Sequence, residues 1–487
     1  MNVFFFRRAA PVLALITLVP ALAFAQGALT PPGAPAPTMK TLQQVEPRID
    51  LATLPGTAAA VISITQSGSY YASGNIGGST GKHTIVVAAT NVTIDLNGFT
   101  LSVTGTANAG VFVSASANVT VRNGRIFGGS HGVQGTARLV CTDLHIENSA
   151  GILALGDSVV ERCRLFVAGI QLGARGVVND CYTSSSFGVS VGAGGIVQRT
   201  QVITGGISTG ADGQVVECTV STAPASGILT GLRGIVRNCQ VNGAANSGIR
   251  VGDQSVLSHC TVNAAGAGTP ISTDGGFSLG AGSVAEKCVA SQGGVAGFVG
   301  GSAVRLSDCV ASGNSGLGFS VGTRSVLSGC IATLNGAGGI YSTGSGALIE
   351  HCLAAGNTGG AGIRVDNGTV SECEVRENQG GAGIRASTGS TVINNTSNSN
   401  GSAAIPQNGF LIEGGRGRVE GNHTYNNTGY GFEVTNTSST NSVLVISNSA
   451  GSNDLGEFFI GAGNAVGPIV SSSNVLTNTI PTANFNL

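Results

Sequence analysis

The sequence contains no tryptophan, and only 10% of its 487 residues are charged. The formal net charge is −1 at pH 7, which excludes the basic surface that collects nucleic acid or anionic lipid. Apolar residues still make up 41% of the chain. The scarcity of charge therefore does not indicate disorder, which combines low hydrophobicity with high net charge. The composition predicts a folded protein without a nucleic-acid partner.

Long apolar runs are absent after residues 1–25, which read MNVFFFRRAAPVLALITLVPALAFA. No later run reaches the roughly 18 apolar residues of a membrane-spanning helix, so we expect no membrane span in the mature chain. In the first 25 residues two arginines precede an apolar segment that ends in an Ala-Phe-Ala cleavage pattern. This pattern favours a signal peptide over a membrane anchor and predicts export: secreted, periplasmic or at the cell surface. A Pro/Ala-rich linker follows at 26–38.

Helical periodicity and internal proline are also scarce. Short apolar pairs such as GIRV and SVLS alternate with Gly-, Ser- and Asn-rich turns, which is typical of strands. Few prolines interrupt these strands, as expected when most strands are paired on both sides. After Pro55 the prolines are Pro224, Pro270, Pro406, Pro468 and Pro481.

What the sequence does contain is a repeat. The unit GIRVGDQSVLSHCTV at 248–262 recurs with a period of about 21 residues, and its cysteine slot also accepts Asn, Asp or Thr. Cys141 falls two positions off this register. The predicted ladder, one residue from each unit, consists of Asn97, Asn123, Asp143, Cys163, Cys181, Thr200, Cys218, Cys239, Cys260, Cys288, Cys309, Cys330, Cys352, Cys373, Asn395, Asn422, Asn448 and Asn474.

Three short strands per unit fit one coil of a parallel β-helix, in which like positions stack at about 4.8 Å. A propeller needs a repeat of roughly 40 residues, and leucine-rich repeats need their consensus leucines. We predict an all-β, single-stranded parallel β-helix of about 18 coils over residues 84–480. An N-terminal cap is expected over 39–83 and a C-terminal tail over 481–487.

The residue after glycine in each GIRV-like segment is apolar and is expected to stack on its own kind inside the rod, as Ile249 on Phe277. Cysteine suits a narrow buried slot because it is a small hydrophobe that needs no partner. Stacked Cα atoms lie within the disulfide range of about 4.4–6.8 Å, but parallel side chains would strain the bridge. Stacked free thiols are favoured, and one or more bridges stay as the alternative.

The ladder, the GIRV-like strands and the segments NVTIDLNGFTL and NVTVRNGRIFGG resemble secreted right-handed parallel β-helix repeat proteins of the pectate-lyase-like superfamily. The resemblance covers roughly residues 55–480 and implies a right-handed coil. In that superfamily, pectate lyases use calcium-binding acids with an arginine base, polygalacturonases use aspartates with a histidine, and mannuronan epimerases use a DPHE-type motif. None of these constellations occurs in this sequence, so the resemblance assigns no activity.

Alternation of side chains across a strand places Tyr341, Arg364 and Arg385 outward in three consecutive coils, with Asp366 beside Arg364. An aromatic face next to two guanidinium groups suits an anionic sugar chain, because carboxylates and sulfates accept paired bonds from arginine. The alternative is a solvated surface in which Arg364 pairs with Asp366 and Arg385 covers apolar backbone.

A second group of polar residues lies in DLHIENSAGILALGDSVVERCRL. A carboxylate, histidine and arginine held together could bind a metal or perform acid–base chemistry, although a salt-bridged surface is the alternative. Six histidines without metal-type spacing argue against zinc, and no metal is predicted. This candidate cluster consists of His145, Glu147, Glu161, Arg162 and Arg164.

Two functions remain open at this point. The first is an exported, non-catalytic scaffold that binds glycan or another cell-envelope partner, as the low charge and monotonous coils favour. The second is a polysaccharide lyase, glycoside hydrolase or uronan epimerase that acts on an acidic polysaccharide. No cofactor is expected, and Ca²⁺ enters only with the lyase.

Overall fold

A computed structural model describes residues 47–114, 118–136, 138–266, 274–471 and 479–487. Nearly every regular element is a short strand, and three strands with the turns between them form one coil. Each strand pairs in parallel with its counterpart in the next coil, as Ile249 lies opposite Phe277 and Phe277 opposite Phe298. The predicted all-β parallel solenoid is confirmed, and the strands form three columns along it.

Column 1 contains the GIRV-like strands, nineteen in all among the described residues, so the solenoid has about one coil more than predicted. Its strands are Ala60–Ile64, His83–Val87, Ala109–Val113, His131–Gly135, Gly151–Ala154, Gly169–Leu172, Val189–Val191, Ile207–Thr209, Ile228–Thr230, Ile249–Val251, Gly275–Leu279, Ala296–Gly300, Leu317–Val321, Gly338–Ser342, Ile363–Val365, Ile384–Ala386, Phe410–Ile412, Tyr430–Val434 and Gly456–Ile460.

Column 2 contains the SVLS-like strands, which follow column 1 in each coil. Its strands are Ile49–Asp50, Gly68–Tyr71, Val92–Asp95, Val159–Glu161, Val177–Asn179, Ile196–Gln198, Gln214–Val216, Ile235–Arg237, Val256–Ser258, Val284–Glu286, Arg305–Ser307, Val326–Ser328, Leu348–Glu350, Thr369–Ser371, Thr391–Ile393, Arg418–Glu420, Leu444–Ile446 and Ala465–Val466. Two longer strands, Val119–Phe127 and Leu139–Glu147, continue from column 2 into column 3.

Column 3 closes the coil. Its strands are Thr100–Ser102, Arg164–Phe166, Tyr182–Ser184, Gln201–Val202, Thr219–Ser221, Gln240–Asn242, Thr261–Asn263, Val289–Ser291, Val310–Ser312, Ile331–Thr333, Leu353–Ala355, Glu374–Arg376, Thr396–Asn398, His423–Tyr425, Ser449–Gly451, Ile469–Ser471 and Asn484–Asn486. Outside the columns lie an antiparallel hairpin, Gly401–Ser402 with Ile405–Pro406, and the 3-10 turns Leu51–Thr53 and Ser439–Asn441.

Both ends of the described chain take part in the coils. Ala60–Ile64 pairs with His83–Val87, so the described part of the predicted cap region already contains solenoid strands. Asn484–Asn486 pairs with the strand that begins at Ser449, so the predicted tail closes the last described coil. The described residues contain no helix long and apolar enough to cross a membrane.

The core contains files of like side chains, as the repeat predicts. Phe277, Phe298 and Phe319 are fully buried, and their ring centroids are 4.7 and 4.8 Å apart. Phe410 and Phe432 stack in the same way at 4.7 Å. Because each coil repeats the position of the one below, one apolar residue per coil builds a continuous interior.

The predicted ladder lies at the turn between columns 2 and 3. The residue before each ladder position has a left-handed backbone, as at Arg162, Asp180 and His259 with φ of 49°, 51° and 53°. In the upper coils, Asn395 donates from Nδ2 to Asn422 Oδ1 at 3.0 Å, and Asn422 donates to Asn448 Oδ1 at 3.0 Å. These bonds satisfy buried amides from one coil to the next.

Three ladder assignments differ from the prediction, and a fourth is not described. Asn97, Asn123 and Asp143 occupy the left-handed position itself, one residue before the ladder position, with φ of 50°, 56° and 55°. Asn and Asp tolerate the left-handed backbone, and Asn also occurs at the ladder position. The ladder position and the residue before it are therefore hard to tell apart in sequence. Asn474 lies outside the described residues, and Asn484 accepts the bond from Asn448 Nδ2 at 3.0 Å.

A second ladder lies at the turn between columns 3 and 1. Its asparagines are almost completely buried, and each donates from Nδ2 to the Oδ1 of the next at 2.8–3.0 Å. Three earlier coils have Ala223, Ala244 and Ala265 in the corresponding place. The second ladder consists of Asn314, Asn335, Asn357, Asn378, Asn400, Asn427 and Asn453.

All eleven cysteines are free and buried, which favours the thiol alternative. Each ladder thiol lies near backbone carbonyls; the Cys309 Sγ donates to Ser307 O at 3.4 Å and to Ala285 O at 3.5 Å. Burial raises the pKa of the Cys141 thiol, which disfavours its thiolate.

We expect the native protein to react very slowly with a thiol reagent, because all eleven thiols are buried and the reagent cannot reach them. After unfolding without reductant, all 11 cysteines should react, as counted by mass spectrometry of the alkylated chain. The same unfolded chain treated with reductant first is the control. A lower count without reductant that reductant restores would instead demonstrate bridges between coils.

Candidate functional site

The outer face of column 1 brings three predicted residues together. Tyr341 lies opposite Arg364, and Arg364 lies opposite Arg385, in three successive coils. The Arg364 guanidinium carbon is 6.0 Å from the centre of the Tyr341 ring, within the range of a cation–π contact. We call these three residues the Tyr/Arg row.

Tyr341 is held in place by the next coil. Its hydroxyl accepts a hydrogen bond from the backbone N–H of Ala361 at 2.8 Å. A Cβ at Gly360 would lie 2.1 Å from that hydroxyl oxygen, so only glycine leaves room for the ring to reach this partner. The aromatic ring of the row therefore has a defined orientation before any ligand arrives.

Each arginine of the row has a carboxylate beside it, but the two pairs differ. Arg385 donates from Nε and NH2 to Glu413 at 2.7 and 3.1 Å, and this hydrogen bonding raises the pKa of Arg385. Arg364 NH2 lies 3.6 Å from Asp366 Oδ2, which is too long for a hydrogen bond. Asp366 therefore holds Arg364 less firmly than Glu413 holds Arg385. Arg364 is the more available cation of the row.

The same face continues toward the N-terminus as a groove of about 490 Å³. Arg250 is exposed there, between Leu229 and Ser278 in the coils on either side. Ser278 is buried and lies 2.9 Å from the Ser247 hydroxyl, which also donates to Asp274 at 2.9 Å. Column 1 thus presents a long outer face on which a further arginine, Arg250, lies four coils before Tyr341.

The structure divides the second candidate cluster into two groups. On the column 3 face, His145 Nε2 lies 2.6 Å from Glu147 Oε1, and Arg164 is the neighbour of His145 in the next coil. Near the ladder turn, Arg162 donates to both oxygens of Asp143 at 2.8 and 2.9 Å and lies 3.0 Å from Glu161. This second group is an exposed ion-pair network.

Three residues that the sequence reasoning missed complete the His145 group. Arg125 donates to Glu147 Oε2 at 2.6 Å, and the bonds from Arg125 and then His145 lower the pKa of Glu147. The His145 ring stacks on Phe166 at 5.1 Å, and Phe166 contacts Tyr182 at 5.3 Å. Their spacing of about one coil is the signal that could have identified them.

Metal binding finds no support in the described part of the chain. No group of three or more His, Cys, Asp or Glu residues there is arranged to hold an ion. His145 has one carboxylate neighbour, and that carboxylate is shared with Arg125. The arrangement can exchange protons or bind hydroxyl groups.

The repeat and the parallel coils have a counterpart among known proteins. Residues 205–360, 293–450 and 335–480 match the family model described as a right handed beta helix region, and the matches together extend over more than half of the chain. The chain belongs to this right-handed β-helix family.

This β-helix is similar to several solved structures. It covers 62% of tailspike protein 3 of bacteriophage CBA120, with 78% of its own length, 13% identity and a TM-score of 0.29. It covers 75% of the periplasmic alginate epimerase AlgG with 62% of its own length, at 12% identity and a TM-score of 0.33. It covers 88% of the A-module of the Azotobacter vinelandii mannuronan C-5 epimerase AlgE4 with 84% of its own length, at 14% identity and a TM-score of 0.26. No curated protein matches this β-helix by sequence.

Proposed function

We propose that this chain is an exported, non-catalytic β-helix that binds an acidic glycan chain along the outer face of column 1. The observation that carries the proposal is the Tyr/Arg row, in which an aromatic ring and two guanidinium groups follow one another in successive coils. The signal-peptide pattern of residues 1–25 supports export.

The regular spacing of the coils suits a linear polymer. Neighbouring parallel strands lie about 4.8 Å apart, so the face offers a new contact at each step along the solenoid axis. A glycan chain is a series of similar rings, and several weak contacts along it add up when the partner is held in one geometry. Rigid coils also reduce the ordering that binding requires.

The groups of the row match the chemistry of an acidic sugar. Guanidinium N–H groups donate to carboxylate, sulfate or hydroxyl oxygens, while Asp366 and Glu413 accept from hydroxyl groups. Because Asp366 holds Arg364 only loosely at 3.6 Å, an anionic group of the ligand can take the free donors of Arg364. Arg385 stays with Glu413 and supports the row from the next coil.

The His145 group supports a second candidate function, turnover of the glycan by a lyase, hydrolase or epimerase. A histidine hydrogen-bonded to a carboxylate can serve as a base, and Arg164 in the next coil could hold an acidic substituent. We rank it second because Glu147 is also bonded to Arg125, and because the aromatic contacts cover one side of the His145 ring.

The test is binding of polygalacturonate, alginate and a sulfated glycan, measured by calorimetry at low and high salt. We expect Arg364→Ala to weaken binding about tenfold, which corresponds to about 1.4 kcal/mol, and Tyr341→Ala to weaken it as well. Arg385→Ala should have the smaller effect, since that arginine is already paired with Glu413. Binding should also weaken as salt screens the charges.

The matched control is Arg305→Ala, because Arg305 is an exposed arginine on column 2, away from the row. Equal affinities of Arg364→Ala, Arg305→Ala and the unchanged protein would exclude the row as the binding site. The same mixtures are examined for unsaturated or shortened products, with and without Ca²⁺. Products that disappear in Glu147→Gln would replace the scaffold proposal with the enzymatic one.

A further inference from the structure

A second cavity lies on the outer face of column 1, in the coils that begin at His131, Gly151, Gly169 and Val189. Its volume is about 290 Å³, near the lower limit of small-ligand pockets. Six coils lie between the coil of Ser190 and the coil of Tyr341, so the cavity is separate from the Tyr/Arg row. The residues that matter for its chemistry are His131, Leu153, Gln171, Phe187 and Ser190.

Phe187 is the most exposed large apolar side chain of the described residues, at 71%. Its position is nevertheless defined, because its backbone N–H donates to the Ser185 hydroxyl at 3.2 Å. A Cβ at Gly169, in the coil below, would lie 2.7 Å from the Phe187 Cβ, so glycine is needed there. These contacts place the backbone and Cβ of Phe187 at the edge of the cavity, and an aromatic ring open to solvent there is suited to stacking on a ligand.

His131 contributes unused hydrogen-bonding capacity. Its Nδ1 is buried and has no hydrogen-bond partner among the described residues. Burial lowers the pKa of His131 and so favours the neutral ring, which has one donor and one acceptor nitrogen. Buried polar atoms of this kind are normally satisfied. His131 also lines the cavity, which is where a partner for its ring could come from.

The remaining wall contains polar groups but no charge. Gln171 offers an amide donor and acceptor, and Ser190 offers a hydroxyl, on the outward positions of neighbouring strands. No Asp, Glu, Lys or Arg lines the cavity. The cavity thus combines an aromatic edge, an apolar side chain at Leu153 and three neutral hydrogen-bonding groups.

We propose that this cavity binds a single uncharged pyranose ring, which stacks on Phe187 while its hydroxyl groups bond to Gln171, Ser190 and His131. The choice of a sugar rests on the proposed glycan function, but the residues are separate from the Tyr/Arg row. The face of column 1 would then contact an acidic segment of a glycan at one place and an uncharged residue at another.

The experiment uses the full chain with its histidines labelled at Cε1, so that each of the 6 histidines gives one NMR signal. The probes are the methyl glycosides of glucose, galactose, mannose and N-acetylglucosamine, with methyl glucuronoside as the charged comparison. We expect at least one uncharged glycoside to shift the His131 signal in a saturable manner. The signal is assigned by its loss in His131→Gln.

Phe187→Ala and Gln171→Ala should each weaken that binding about tenfold or more. The matched control is Phe127→Ala, because Phe127 is another exposed phenylalanine, at 43%, and lies on a different column. Arg364→Ala should leave the shift unchanged. If no uncharged glycoside moves the His131 signal, or if both cavity variants bind as well as the control, the proposal is wrong.

The outcome is independent of the test of the Tyr/Arg row. Glycoside binding that depends on Phe187, in a protein that binds no acidic polymer, would support the cavity and reject the row. Acidic-polymer binding that depends on Arg364, with no response at His131, would do the opposite. A shift caused only by methyl glucuronoside would contradict the uncharged ligand proposed here.

Discussion

Phe298→Ala is expected to lower the free energy of unfolding by about 4 kcal/mol, the usual cost of removing a buried phenylalanine. Phe298 is fully buried and stacks between Phe277 and Phe319 at 4.7 and 4.8 Å. Both of its neighbours therefore lose an aromatic partner. The coils on either side are each bonded through their backbones to the coil of Phe298, so they cannot move together to fill the space.

The measurement is chemical unfolding followed by circular dichroism, with the midpoint and slope compared between variants. Phe298→Ile is the matched control inside the core, because the same file of side chains contains Ile249 below and Ile340 above the phenylalanines. It should cost less than half as much as the alanine variant. Phe127→Ala, on the surface, should change stability by less than about 0.5 kcal/mol. Similar midpoints for all three variants would contradict the stacked core.

The architecture could be predicted from sequence because the solenoid turns a linear period into a spatial file. The cysteines in ten of the units show the period plainly, since only one other cysteine occurs in the chain. The ladder of Asn314, Asn335 and the asparagines above them has the same period, but asparagine is common in the turns and hides it. Residue type alone could not separate buried asparagines from exposed ones.

The register was harder to predict where two neighbouring positions accept the same residues. Asn123 and Asp143 have the left-handed backbone that asparagine and aspartate tolerate, while the ladder position itself holds Gly124 and Leu144. Near the row, the hairpin Gly401–Ser402 with Ile405–Pro406 lengthens one coil. Glu413 therefore follows Arg385 by 28 residues, and counting at the usual period does not identify it as the partner of Arg385.

The candidate site shows the same division between what strand alternation predicts and what it does not. Alternation places Tyr341, Arg364 and Arg385 on one face, and they do lie side by side. It does not reveal that Arg385 is bound by Glu413 while Arg364 is held loosely, because ion pairing depends on side-chain conformation between coils. That difference determines which arginine we expect to meet an anionic ligand.

Asn378→Ala should destabilise the protein by about 3 kcal/mol or more, because it leaves several buried polar groups unpaired at once. Asn378 is fully buried and accepts bonds from the backbone N–H and from Nδ2 of Asn357 at 3.1 and 2.8 Å. It donates from Nδ2 to Ala354 O and to Asn400 Oδ1, each at 3.0 Å. Alanine replaces none of these contacts, and the ladder is interrupted between its lower and upper members.

Asn242→Ala is the matched control, because Asn242 lies on the outward side of a column 3 strand and is not fully buried. Replacing Asn242 should change the free energy of unfolding by less than about 0.5 kcal/mol. Amide hydrogen exchange then locates the damage: in Asn378→Ala, protection should fall in the coils that contain Asn357 and Asn400, since coils contact only their neighbours. Equal stability of the two variants would mean that solvent, not the ladder, satisfies these amides.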